Sequence, residues 1–215
     1  MTELLIAAAV GIVVGMLAAL VDNLLAQWGQ QSLPETSRAE LSETDRKKAE
    51  ETRALIERCF GDDAVERLKS ASNKDRIRLM TEFAEQLAKL YDLDIEVDVT
   101  VNELKNFGAY NWKEKKAVFN IALLTVDGNH EHFDFCVRET LDTIIHELRH
   151  AVQHRVTEEP GFWNVDETRR LAWARNMTPG QYISASTDLR AYAKQSIERD
   201  AATFAAAAME GVCNA

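Results

Sequence analysis

The chain lacks a disulfide framework. Its cysteines are Cys59, Cys136 and Cys213, odd in number and far apart, a pattern that fits a reducing compartment. There is no Cys-x-x-Cys pair to suggest a thiolate-held metal. An excess of basic charge is missing too. Against 35 Asp and Glu stand 25 Lys and Arg, for a net charge of -10, the wrong sign for a phosphate-backbone binder, so nucleic acid is discounted as a partner. No internal repeat or low-complexity tract interrupts the chain. What is present is ordinary globular material, 46% hydrophobic and 28% charged. A length of 215 residues suits one well-buried domain with an appendage better than two full domains.

The appendage is the first segment. Leu4 to Val21 holds no charged or strongly polar side chain; as a helix it would reach about 27 Å, enough for a thin bilayer core. The start Met1-Thr2-Glu3 lacks the basic region of a signal peptide, and no small-residue cleavage site stands apart from the run, so the segment is expected to be retained as a membrane anchor. Gly11 and Gly15 form a Gly-x-x-x-Gly pair that suits self-association in lipid. A buried N-terminal helix is the competing reading. If the run spans a membrane, Arg38, Arg46, Lys47 and Lys48 favour a cytoplasmic domain beyond it; a soluble cytoplasmic or secreted protein is the alternative. The polar stretch around Pro34 separates residues 1–33 from a domain over residues 34–215.

Within that domain, periodicity predicts helices over Thr36 to Phe60, Asp62 to Lys69 and Lys74 to Tyr91, the last with Ile77, Met80, Phe83, Leu87 and Leu90 on one face. The period then changes to two. Ile95, Val97, Val99 and Val101 alternate with polar residues as in a half-buried strand, and Gly108 to Tyr110 and Ala117 to Leu124 follow as a hairpin or meander. Helices are expected again over Phe133 to Val156, Asn164 to Arg175 and Asp188 to Met209. Helices, a few strands and then helices read as an α+β fold.

The chemistry concentrates in the Phe133 helix, which carries His146-Glu147-Leu148-Arg149-His150. His146 and His150 lie one turn apart and present both imidazoles on one face, two corners of a tetrahedral zinc site. Glu147, beside them, is placed to take a proton from an activated water and pass it to the leaving amine of a cleaved peptide. Arg149 carries no functional signal at this level. His154 continues the one-turn series, but one straight helix cannot surround a metal with three successive turns. His130 and His132 read as solvated loop residues.

On this His-Glu-x-x-His motif, set in a helix after a β-rich segment, the chain resembles the zincin metallopeptidases over roughly Lys74 to Met209. The resemblance implies a small sheet packed on the active-site helix, Zn2+ as cofactor and a protein or peptide substrate. Its edge strand would bind extended substrate by strand addition, with Ala117 to Leu124 as the candidate strand. Gln153 and Val156 stand where the metzincin branch has its glycine and third histidine, which disfavours that branch. The segment Tyr192 to Ala205 resembles the Glu-x-x-Ala helix of short bacterial and phage zincins. It offers Glu198 as third ligand, with Ala201, Ala202 and Ala205 as a small-residue face for close helix approach. Asp200 is a candidate to orient a ligand histidine or to replace Glu198. Tyr192 is a candidate donor to the oxyanion. Two other classes stay open: a membrane-active toxin or effector carrying a zincin domain, and a non-catalytic interaction protein stapled by zinc.

Overall fold

The computed structural model describes residues 41–102 and 107–212. Among these, seven α-helices and one three-stranded mixed sheet form the expected α+β architecture. The candidate membrane span Leu4 to Val21, its Gly11 and Gly15 face, the boundary near Pro34 and Cys213 lie outside the described residues. No helix among the described residues is long and apolar enough to cross a membrane.

The first helix, α1 (Glu43–Phe60), opens on a capping box in which the Ser42 hydroxyl accepts from the Asp45 amide and the Asp45 side chain accepts from the Ser42 amide. After the short α2 (Ala64–Lys69) comes α3 (Asn73–Leu90), which buries Leu79, Met80, Phe83, Ala84, Leu87 and Ala88 at helical spacing. Arg76 of α3 fixes the corner that follows. Its guanidinium donates to the carbonyls of Leu68 (2.8 Å), Leu124 (2.7 Å) and Val126 (2.9 Å) and lies 4.7 Å from the centre of the Phe133 ring.

The sheet contains β1 (Glu96–Thr100), β2 (Gly108–Asn111) and β3 (Lys116–Asn120) in the order β1-β3-β2. β2 and β3 form the expected antiparallel hairpin, whereas β1 pairs parallel to β3. The arrangement is therefore mixed and not a meander. The expected strand Ala117 to Leu124 is also shorter and differently placed. It ends at Asn120, gives way to a 3-10 turn over Ala122–Thr125, and is the central strand. As the central strand it has no free edge, contrary to the expectation of an edge strand; the edge strand that contacts the next helix is β2.

That helix, α4 (Phe133–Glu158), is the axis of the domain. It meets β2, β3, the 3-10 turn, α2, α3, α5 (Glu167–Asn176) and the C-terminal helix. The single helix expected over Asp188 to Met209 is two: α6 (Leu189–Lys194) and α7 (Ser196–Ala208), broken where Gln195 adopts extended backbone angles. The break coincides with a side-chain contact to the preceding loop. The Gln195 side chain accepts from the Ile183 amide and donates to the Ile183 carbonyl, both at 2.9 Å, and so pins the preceding loop as a strand neighbour would. One hydrophobic cluster joins residues from Leu41 to Val212.

Through this cluster runs a charge network. Arg149 of α4 is fully buried and pairs with Asp45 of α1 at 2.8 Å and with Asp200 of α7 at 2.9 Å. Arg169 of α5 bridges the same two carboxylates, and the Trp163 indole donates to Asp45 at 2.9 Å. The Arg149 guanidinium also lies 4.7 Å from the Phe204 ring centre and 5.5 Å from those of Trp163 and Trp173. Burial would raise the Asp45 carboxyl, but Arg149 and Arg169 outweigh it and hold the group well below its usual value of 3.8. A depressed carboxylate contributes stability that is complete above its unfolded value and is lost as pH falls through the folded one. Asp45→Asn is therefore expected to cost roughly 3 kcal/mol in urea unfolding at pH 7, because it leaves buried guanidinium charge uncompensated. The gap to wild type should narrow below about pH 4. Equal stability of the two proteins at pH 7 would refute this account.

Candidate metal centre

The site is assembled from α4, α7, β2 and the loop before α6. His146 and His150 present their Nε2 atoms to each other at 3.1 Å, and Glu198 Oε2 lies 3.3 Å from the first and 3.4 Å from the second. These residues form the one cluster of at least three such side chains among the described residues whose donor atoms can share a metal ion. Tetrahedral coordination at about 2.0–2.1 Å requires donors about 3.3–3.4 Å apart. The two distances to Glu198 match that edge length and the one between the imidazoles, 3.1 Å, is slightly shorter; two imidazoles with one carboxylate suit zinc or a similar transition metal better than calcium or magnesium. The residues fit a metal ion. The two histidines keep 17% and 14% of their side-chain surface exposed while Glu198 keeps 3%, so the centre is sealed from the α7 side and open on the other.

Glu198 reaches the histidines because the break at Gln195 restarts the chain as α7, leaving Glu198 in a first turn. Unpaired amides at a helix start favour a carboxylate there. Buried Ala201, Ala205 and Ala208 run along the same helix, in keeping with the close packing of α7 on α4; Ala202 is only half-buried. Burial disfavours charge on both His150 and Glu198. The Glu198 hydrogen bond and charge, with Glu147 beyond, nevertheless hold His150 up at about 9, and the two imidazoles hold Glu198 well below the carboxylate range.

Glu147 does not join the cluster. It turns toward β2, where its Oε2 accepts from the Tyr110 amide at 3.0 Å. The strand approaches so closely only because residue 108 is glycine. A Cβ there would sit 2.7 Å from Thr143 Cγ2 and 3.0 Å from Glu147 Cγ, and a glycine inside a strand pattern is the sequence signal for such an approach.

Two tyrosines complete the centre. Tyr182 donates its hydroxyl to Glu198 Oε1 at 2.9 Å, leaving Oε2 to face the imidazoles. Tyr192 stacks edge-on against Tyr182 at 6.3 Å. Burial and then the Glu198 charge push both phenols upward, so both hydroxyls stay protonated donors. Tyr182 was not legible in the sequence, because the Gln195 clamp on Ile183 brings it in from a loop.

Asp200 contacts neither ligand histidine nor takes the place of Glu198; it faces Arg149, Arg169 and Gln153. His154 stays outside the cluster, its Nδ1 3.1 Å from the Tyr110 hydroxyl. Tyr110 and His154 border a cavity of about 350 Å³ beside Lys115, Arg155 and Glu158. His130 and His132 lie against each other at 5.6 Å, apart from the metal-type cluster.

Gly108→Ala should therefore force β2 away from α4, lowering stability by about 1–3 kcal/mol while the His146, His150 and Glu198 cluster keeps its metal affinity. Thermal unfolding and a zinc titration of the same variant check this, and an unchanged melting temperature would contradict the close approach. Compared with protein-family models, with curated protein sequences and with solved structures, the chain shows no match in any of the three.

Proposed function

We propose that this protein is a zincin-like metallopeptidase that hydrolyses peptide bonds in a protein or peptide substrate. The observation that carries the reading is the cluster of His146, His150 and Glu198 with donor atoms close to tetrahedral edge distances, with Glu147 one residue from a ligand and tied to an edge strand. In this reading His146, His150 and Glu198 hold Zn2+. When bound, the ion supplies Lewis acidity and lowers the pKa of a coordinated water to about 7.

The remaining steps belong to the chain. Glu147 accepts the proton of the attacking water and delivers it to the departing amine. The Tyr110 amide donates to the Glu147 carboxylate and holds it at the mouth of the site. The outer edge of β2, not β3, presents backbone groups along which an extended peptide can lie. Tyr192, beside Tyr182, is the neutral hydroxyl donor for the oxygen of a substrate carbonyl, whereas the one hydroxyl hydrogen of Tyr182 is given to Glu198 and holds that carboxylate in place. The partial exposure of His146 and His150 supports catalysis over a closed structural zinc, which takes four protein ligands.

The test combines metal analysis with peptide hydrolysis on the full chain. Wild type should hold about one zinc, and His146→Ala and Glu198→Ala should lose it. Glu147→Gln should keep the metal while hydrolysis of a peptide library falls by about 10²–10⁴. If Glu147→Gln equals wild type and chelation simply unfolds the chain, the zinc is a staple and the peptidase reading fails.

A further inference from the structure

Gln153 is a fully buried polar side chain on α4, one turn beyond His150 and beside the buried charge network of Arg149 and Asp200. Its hydrogen bonds leave one orientation for the amide. The nitrogen Nε2 lies 2.8 Å from the Ile197 carbonyl and 2.7 Å from Asp200 Oδ2. A carbonyl oxygen only accepts, and Asp200, paired with Arg149 and Arg169, also accepts. The NH2 group must face both, so Oε1 is the atom turned toward His150 Nδ1 at 2.7 Å. An amide oxygen cannot donate, so Nδ1 carries the hydrogen of that bond. The nitrogen left for a metal is Nε2, the one that faces His146 and Glu198.

From this chain of donors and acceptors we propose that Gln153 is the positioning residue of the metal centre. Oriented by Asp200 and the α7 backbone, it keeps the proton of His150 on Nδ1 and locks the ring with Nε2 toward the metal. The inference rests on His146, His150 and Glu198 being a metal site. It extends that reading by assigning the orientation of one ligand to a neutral side chain on the ligand's own helix. It also gives Asp200 its part, as the group that turns the amide. The relay reaches further, through Arg149 and Arg169 to Asp45, so the ring orientation depends on the buried charges between α1, α5 and α7.

The experiment uses the full chain, zinc alone as probe, and Gln153→Met, which keeps length and removes the acceptor. Zinc affinity, measured by competition with a chromophoric chelator, should fall by about 10–100-fold. In histidine-labelled, zinc-loaded wild type, two-bond proton–nitrogen NMR correlations should show the His150 hydrogen on Nδ1 and the ligated nitrogen as Nε2. The protected Nδ1 proton should disappear in the variant. A variant with a lowered melting temperature but zinc affinity within about twofold of wild type would make Gln153 a packing residue and overturn the proposal. If the variant does not fold, the wild-type spectrum decides alone: ligation through Nδ1, or a His150 Nδ1 without hydrogen, overturns it. Wild type that binds no zinc removes the metal-site reading itself, whereas zinc binding unaffected by Gln153→Met removes only the positioning role.

Discussion

Everything in the site depends on the burial of one guanidinium. Arg149 stands between the two candidate ligand histidines in sequence but points the other way, into a core where Asp45 and Asp200 neutralise it and three aromatic rings enclose it. A charge removed from water this completely is tolerable only with close partners. That requirement ties α1, α5 and α7 to α4 at fixed positions. Asp200 lies two residues beyond Glu198, so the pairing that neutralises Arg149 also sets how far α7 sits from the histidines.

The faces of α4 divide the work. Leu141, Ile144, Ile145 and Leu148 fill the core; Arg149 and Gln153 meet α7; His146, Glu147 and His150 border the opening. The C-terminal segment complements this by breaking. Gln195 gives up helical geometry to clamp Ile183, and two results follow at once: Glu198 falls in the first turn of a new helix, and the loop bearing Tyr182 is held over it. A continuous helix would leave the carboxylate without the favourable field of a helix start.

On the opposite side the sheet contributes by proximity. β2 comes within van der Waals distance of α4 at Gly108, and its Tyr110 amide reaches Glu147. A single edge strand thus orients the proposed base while its outer side stays unpaired in the sheet. The Ala117 to Leu124 run has stronger β character, but its apolar residues suit it to the middle of the sheet, where Ala117 and Phe119 are buried.

The sequence alone determined the helical and strand periods, the α+β class, the His146, Glu147 and His150 motif and the candidacy of Glu198, because each rests on spacing within one element. Strand order, the break at Gln195, the approach of Gly108 and the parts of Tyr182, Arg149 and Gln153 depended on the tertiary structure. Arg149 and Gln153 read as ordinary polar residues on a helix, since nothing local distinguishes a solvated guanidinium from one enclosed by two distant carboxylates. Hydrogen bonds and ion pairs between residues some 40 to 100 positions apart form only after the helices pack, for example Arg149 with Asp45 and Gln153 with Ile197. Local spacing therefore names the candidate ligands, while packing decides how they are held.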